Sequence, residues 1–363
     1  MNGAFAAASI LFLVYVSQCF GSAPPISVLF VLNSRLKGRW LRRFWETSPG
    51  GRRFFLLNPF LPHVGALYAD RVPFIVRFND AGEFASLEAH PAASDSPREL
   101  SFKTEYAIDS FGKDVFVDGE KFVSLRSEKA AEETAKFLNE LQRKTGEDRV
   151  TALERSFRDG FSLAALDQRL ASYARNAAYL QSACFSLFFF AFLLGPAAVV
   201  VLGLGRTWFA LLLYTAFSCA AIAWLFVTAY RRIYPEGMRW PIQNMTAIGF
   251  SPFAAIRAND LLVAELLAGF HPVAVGRRLQ PEEEFRILAG AELRRAQYLD
   301  RDAFLLRFLA RFLKQNGLSP ESLLSPPRRE DPASLTYCPV CLAQYVVAEG
   351  VCQDCGNTPL ARF

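Results

Sequence analysis

NAAYLQSACFSLFFFAFLLGPAAVVVLGLG (176–205) and TWFALLLYTAFSCAAIAWLFVTAY (207–230) stand back to back with only Arg206 between them. Neither run contains Asp, Glu, Lys, Arg or His. Each exceeds the roughly 20 residues a helix needs to cross a hydrocarbon core. Helices of soluble domains keep a polar face for water, so the pair reads as a transmembrane hairpin over 178–230. Trp208 opens the second run, and Tyr230, Tyr234 and Trp240 close it, at depths where amphipathic rings favour the interface. Gly195-Pro196 predicts an interruption inside the first helix. Ala216 and Ala220, four apart, would allow close backbone approach. With no ionisable group inside either run, the hairpin does not read as an ion pore or carrier.

Composition fits a chain of several parts. Of 363 residues 52% are hydrophobic and 34 are Phe, concentrated in a few runs, unlike one large soluble domain. The formal net charge is +5, and its distribution is more informative than its sum. Met1–Asn33 forms a third stretch without charged side chains. Ala4–Phe20 suits a short span, ended by Pro24-Pro25. A cleaved signal peptide is the rival reading, but it should open on a basic segment, and no Lys or Arg precedes the apolar stretch. Arg35, Lys37, Arg39, Arg42, Arg43, Arg52 and Arg53 follow it, opposed only by Glu46. That flank stays cytoplasmic by the positive-inside rule, which favours an uncleaved anchor over 1–33. Arg169 and Arg175 before the hairpin, and Arg231, Arg232 and Arg239 after it, carry the same bias. The expected location is an inner membrane of bacterial type, N-terminus outside and the bulk of the chain cytoplasmic.

In the basic juxtamembrane segment 34–67, Leu36, Trp40, Leu41, Phe44 and Trp45 fall on one side of a helix. Arg35, Arg39, Arg42 and Arg43 fall on the other, suited to anionic lipid contact or to a solvated stop signal. Residues 68–143 read as a small α+β domain. Val72–Phe78 and Glu83–Ala89 suggest a hairpin, Leu100–Ile108 alternates like a half-buried strand, and Asp118-Gly119 marks a tight turn. Ser127 then opens a helix with Ala130, Thr134, Phe137, Leu138 and Leu141 on one face. Strands followed by one closing helix make this stretch similar in element order to a pleckstrin-homology-like domain, which would imply binding of a lipid headgroup or peptide. Residues 144–177 read as a helical connector and 241–317 as an all-α bundle with a Phe304, Leu305, Phe308, Leu309, Phe312, Leu313 stripe. Pro320, Pro326, Pro327 and Pro332 make 318–336 a Pro-rich linker, read as a tether.

Four of the seven cysteines cluster as Cys338-Pro-Val-Cys341 and Cys352-Gln-Asp-Cys355, ten residues apart. Two pairs of soft thiolates on tight turns make a tetrahedral S₄ site suited to structural Zn²⁺, with iron open on spacing alone. The pattern resembles a rubredoxin-type zinc ribbon over 337–358. Gly356 fits that family after the second pair, whereas Leu342 stands where Gly is common after the first. Disulfides would need an oxidising compartment. Within 337–363, Arg362 opposes Glu349 and Asp354, and a zinc tetrathiolate adds −2, a poor charge for nucleic acid. Tyr345, Val346 and Val347 are either a contact for a protein partner or the ribbon's own small core.

Only His63, His90 and His271 occur, with no metal-binding spacing and no nucleophile motif. His271, before Pro272, reads as a cap or core group. The fold class expected is a multi-domain membrane protein: an α+β domain, a transmembrane helical hairpin, an all-α bundle and a C-terminal zinc ribbon at 337–363. Its expected role is a non-enzymatic membrane-anchored adaptor or assembly factor. The alternatives are an interfacial enzyme acting on lipid or peptide, and a lipid-binding module.

Overall fold

The computed structural model describes residues 28–32, 46–47, 53–57, 74–79, 83–89, 98–125, 128–234, 239–267, 269–280, 282–355 and 357–363. The apolar run 4–20, the amphipathic stretch 34–45 with Arg35, Arg39, Arg42 and Arg43, the cap Ser127, and His63 and His90 lie outside them. Strands β1 (Val28–Leu32), β2 (Glu46–Thr47) and β3 (Arg53–Leu57) pair antiparallel in the order β1-β3-β2. A second antiparallel sheet joins β4 (Phe74–Phe78), β5 (Phe84–Ala89) and β6 (Glu99–Leu100). A third is the meander β7 (Ile108–Phe111), β8 (Asp114–Val117) and β9 (Glu120–Ser124).

Helices α1 (Glu128–Arg143), α2 (Gly146–Gly160) and α3 (Leu163–Asn176) lead into α4 (Ala178–Leu202) and α5 (Leu204–Ile233). Then come α6 (Arg239–Phe250), α7 (Pro252–Ile256), α8 (Ala258–Leu267), α9 (Pro272–Leu279), α10 (Glu282–Arg294), α11 (Ala303–Gln315) and α12 (Pro320–Leu324). Short strands β10 (Thr336–Tyr337), β11 (Gln344–Tyr345), β12 (Val351–Cys352), β13 (Thr358–Pro359) and β14 (Ala361–Arg362) close the chain. The chain forms two compact units: residues 1–69 with 164–268, and residues 70–163 with 269–363.

The second unit draws on both flanks of the α4–α5 hairpin. In its first half β4 and β5 pair as the sequence suggests, Phe74 opposite Ala89. Asp118 and Gly119 both take positive φ, 51° and 78°, which suits the twist of a two-residue hairpin. The alternating Leu100–Ile108 stretch is not one strand. β6 stops at Leu100, Phe102 adopts φ 51°, and pairing resumes at Ile108. That break lets the buried Phe102 ring reach Phe84, 6.0 Å between centroids, with the Arg149 guanidinium 4.9 Å from its own centroid. On α1 the buried stripe is Ala131, Ala135, Leu138 and Leu141: the predicted Leu138 and Leu141 belong to it, while Ala130, Thr134 and Phe137 are half-buried at its edge. Gln142 fixes it by accepting from Tyr106 N and donating to Tyr106 O.

The second half supplies the other side of the same core. Phe304, Leu305, Leu309, Phe312 and Leu313 of α11 are buried, as their spacing predicts. They pack on elements from the far flank: Phe304 lies edge-on to Phe157 of α2 at 4.8 Å and beside Phe78 of β4 at 5.7 Å. Asp302 joins the flanks. Its Oδ1 accepts from Phe304 N and Leu305 N, capping α11, and its Oδ2 accepts from Val76 N. Arg77 donates to Asp300 O and Arg301 O. His271 N donates to Gly160 O, its ring stacks on Phe161 at 4.5 Å, and its Nδ1 accepts from Val273 N. It is therefore both cap and core, in the neutral form with Nδ1 as acceptor. The α+β segment and the helical segment, separate in sequence, share one hydrophobic cluster.

In the first unit α4 and α5 are long and apolar enough to cross a membrane, with mean hydropathies of 2.5 and 2.1. Phe185, Leu193, Phe209, Leu213, Phe217 and Trp224 are exposed on them. The helices meet through Phe190 and Tyr214, with ring centroids 3.9 Å apart. Further along α5, Cys219 and Ile222 are buried. Ala216 and Ala220 face outward, so the small-residue seam is not used; the aromatic pair sets the contact. Before Gly195-Pro196 the helix opens into a π turn at Phe190–Leu194, since Pro196 has no N–H for the helical ladder. Tyr230 is fully buried against Tyr234 (4.9 Å), and Tyr234 donates to Glu265 O. Tyr230 thus packs inside the unit and not at a lipid interface, because α6 and α8 cover that face of α5.

Candidate metal centre

Cys338 and Cys341 lie in the turn between β10 and β11, while Cys352 ends β12 and Cys355 closes the short 3-10 turn after it. Local hydrogen bonds shape the first turn: Cys338 N donates to Ala343 O at 2.8 Å, and Leu342 N donates to Cys338 O at 2.9 Å. Leu342 takes φ 64°, the left-handed conformation a glycine would adopt there without strain. The turn therefore forms despite the departure from glycine, held by its two flanking hydrogen bonds. In the second turn Asn357 takes φ 61°.

All four Sγ atoms lie within 4.8 Å of one another, and Cys341 and Cys352 are 3.8 Å apart. A tetrahedral ion with metal–sulfur bonds of about 2.3 Å has sulfur–sulfur edges of about 3.8 Å. The donor set and spacing fit one metal ion, and among the described residues this is the cluster able to hold one. Cys338 and Cys352 are buried, Cys341 is exposed and Cys355 half-buried.

The surroundings favour charge unevenly across the set. The Tyr345 hydroxyl donates to Cys352 Sγ at 3.2 Å, and this bond, with help from neighbouring thiols, brings Cys352 down to about 7. Burial, reinforced by adjacent sulfurs, pushes Cys341 and Cys355 up. Four thiols this close ionise together only when a cation shares the pocket.

The cluster is fixed to the body and does not hang on a tether. Arg294, at the end of α10, donates from Nε to Val340 O (3.1 Å) and from Nη1 to Leu323 O (3.0 Å). It bridges the first cysteine turn to α12, and its charge acts on Cys341. Gly290 leaves the room this requires: a Cβ there would stand 2.9 Å from Arg294 Nη1. The Pro-rich stretch is ordered for identifiable reasons. Pro320 starts α12 with Ser319 as its cap, and Leu318 and Pro320 are buried. Gln344 holds the segment to the cysteine module, donating to Arg328 O and accepting from Glu330 N. Arg329 lies over the Phe363 ring at 4.8 Å, and that ring packs on Tyr337 at 5.2 Å.

The sequence brought together the four cysteines but not Arg294, which stands 44 residues before the first of them with no local motif. Tyr345 turns its hydroxyl to the sulfurs, while Val346 and Val347 are exposed. No protein-family model, curated protein or solved structure matches the chain. The chemistry of the site therefore rests on its own geometry.

Proposed function

We propose that this chain is an integral membrane adaptor or assembly factor. In this reading α4 and α5 cross the bilayer as a hairpin, and the second unit stands on one face, which the basic flanks make the cytoplasmic one. The cysteine cluster holds one structural Zn²⁺ in a rubredoxin-type ribbon. Val346 and Val347 offer an exposed apolar contact to a protein partner, and the arginines at 35, 39, 42 and 43 add attraction to anionic lipid.

The observation that carries this reading is the shared core of the two flanks. Phe157 on one side of the hairpin packs on Phe304 from the other, and Val76 N–H is bonded to Asp302. Such contacts require both flanks on the same side of a membrane. A pair of spans returns the chain to the side it left, and a single span would not. Four soft, charged ligands favour zinc at the cysteines. A module this short draws most of its folding energy from the metal, which would supply the positive charge that balances the thiolates. Cys338, Cys341, Cys352 and Cys355 would hold it, with Arg294 and the Tyr345 hydroxyl orienting and partly neutralising the sulfurs.

The test uses the full chain in sealed membrane vesicles. Protease added from one side is expected to cut both 70–163 and 269–363, and metal analysis is expected to give one zinc per chain, lost in Cys338→Ser and Cys352→Ser. Flanks cleaved from opposite sides would refute the hairpin. A chain free of metal, or loaded with iron, would refute the zinc centre.

A further inference from the structure

The segment that follows the hairpin forms two limbs, α6 and then α7 with α8, joined by a turn at Ser251. From Trp240 to Ile256 the sequence has no charged side chain, and Arg239 and Arg257 bracket it. Neither limb is long enough to cross. α6, Arg239–Phe250, has 12 residues and rises about 18 Å, against roughly 30 Å of hydrocarbon. α6 packs along α5 and brings Gly249 opposite Ala223, where a Cβ on the glycine would lie 4.0 Å from the Ala223 Cβ. Ala223 stands ten residues before Ile233, so the tip of α6 reaches about 15 Å up α5 from its C-terminal end.

The chain turns at Ser251, whose side chain accepts from Ala254 N to start α7. It then descends beside α4. Cys184, six residues into α4, donates its S–H to Ala255 O at 3.3 Å. Lower down, Tyr234 donates to Glu265 O and Arg169 donates to Leu266 O. The second limb is thus bonded to α4, to the end of α5 and to α3, while the first limb packs along α5. At the turn Phe250 is 88% exposed, and Met245 on the same helix is exposed as well. Trp224 and Phe217 of α5, along which α6 packs, are also exposed.

We infer that Arg239–Leu267 is a re-entrant helical hairpin. It enters the bilayer from the face at which the α4–α5 hairpin begins and ends, places Phe250 and Met245 among lipid acyl chains, and leaves by the same face. This rests on the proposal that α4 and α5 span. The occupant of the exposed surface is the hydrocarbon of the bilayer, because α6 packs along α5, a helix apolar enough to span, and the stretch 240–256 carries no charge. In the sequence Arg239 and Arg257 bound the charge-free stretch, as cations bound apolar membrane segments. An exposed Phe at a helix tip costs nothing in hydrocarbon, and in water would be a large apolar surface without a partner.

The test is depth-dependent quenching of a fluorescent amino acid placed at 250, 217 or 111 in the full chain, reconstituted in phosphatidylcholine vesicles with brominated acyl chains. Phe111 of the second unit is the exposed aqueous reference. Quenching several-fold stronger at 250 and 217 than at 111 is the expected result. Quenching at 217 but not at 250 would overturn the re-entrant hairpin and leave the spans in place. No quenching at either position would overturn the spans as well.

Discussion

At Leu342 a single backbone angle shows how the cysteine module tolerates an unexpected residue. The left-handed φ of 64° costs a non-glycine residue roughly 1–2 kcal/mol. Leu342→Gly, although looser in the unfolded chain, is expected to stabilise the metal-loaded module by about 1 kcal/mol, read as a later urea midpoint for loss of metal. An unchanged or earlier midpoint would show that Leu342 repays its strain through packing. Asp302 works in the opposite sense, as one side chain on which two distant segments depend. Burial pushes its carboxyl up, while the three N–H donors from Leu305, Val76 and Phe304 pull it down. Asp302→Ala removes a helix cap worth about 1 kcal/mol. It also leaves the buried Val76 N–H without its acceptor, at about 1–3 kcal/mol. Denaturant unfolding of the second unit should therefore lose about 2–4 kcal/mol, and Asp302→Asn, which keeps a capping oxygen, should lose less. Neither its cap on α11 nor its bond to Val76, 226 residues away, was read from the sequence.

Among the elements, the Pro-rich segment departed most from its sequence reading. Proline forbids a long helix or a central strand, and that much held. It does not forbid docking: α12 is a single turn, and Gln344 and Arg294 tie the surrounding chain to the body. Arg294→Met is expected to free the Val340 and Leu323 carbonyls. Amide exchange across 337–345 should then rise by tenfold or more while the core strands of 74–89 keep their protection. If exchange rises equally in both regions, Arg294 supports the whole unit and not the docking of the module alone. The hairpin helices carry a related lesson. Their length and composition were plain from two charge-free runs, and Ala216 and Ala220 would have allowed close approach there. Small residues permit close approach without requiring it, and here the tilted Phe190 and Tyr214 pair sets the contact.

For the whole molecule, the second unit is one cooperative body assembled from chain on both sides of the hairpin. A fragment of residues 70–163 alone lacks Phe304, Leu309 and Phe312 and exposes the faces they cover. Expressed by itself it should show broad, poorly dispersed amide resonances, and sharpen when 269–363 is supplied in trans. A well-dispersed spectrum from the isolated fragment would mean that the shared cluster is an interface between two independent domains. What the sequence determined by itself was local: helical length and apolarity, the Asp118-Gly119 turn, the stripe of α11, and the two cysteine pairs. Each depends on neighbours a few residues apart, through the periods of helix and strand or the reach of a tight turn. Only the tertiary structure decided which segments share a core, where Arg294 and Tyr345 sit relative to the sulfurs, and that Phe250 turns outward at the tip of a helix pair. Those arrangements come from packing between residues dozens to hundreds of positions apart, and the pattern of one segment does not encode the face its partner will present.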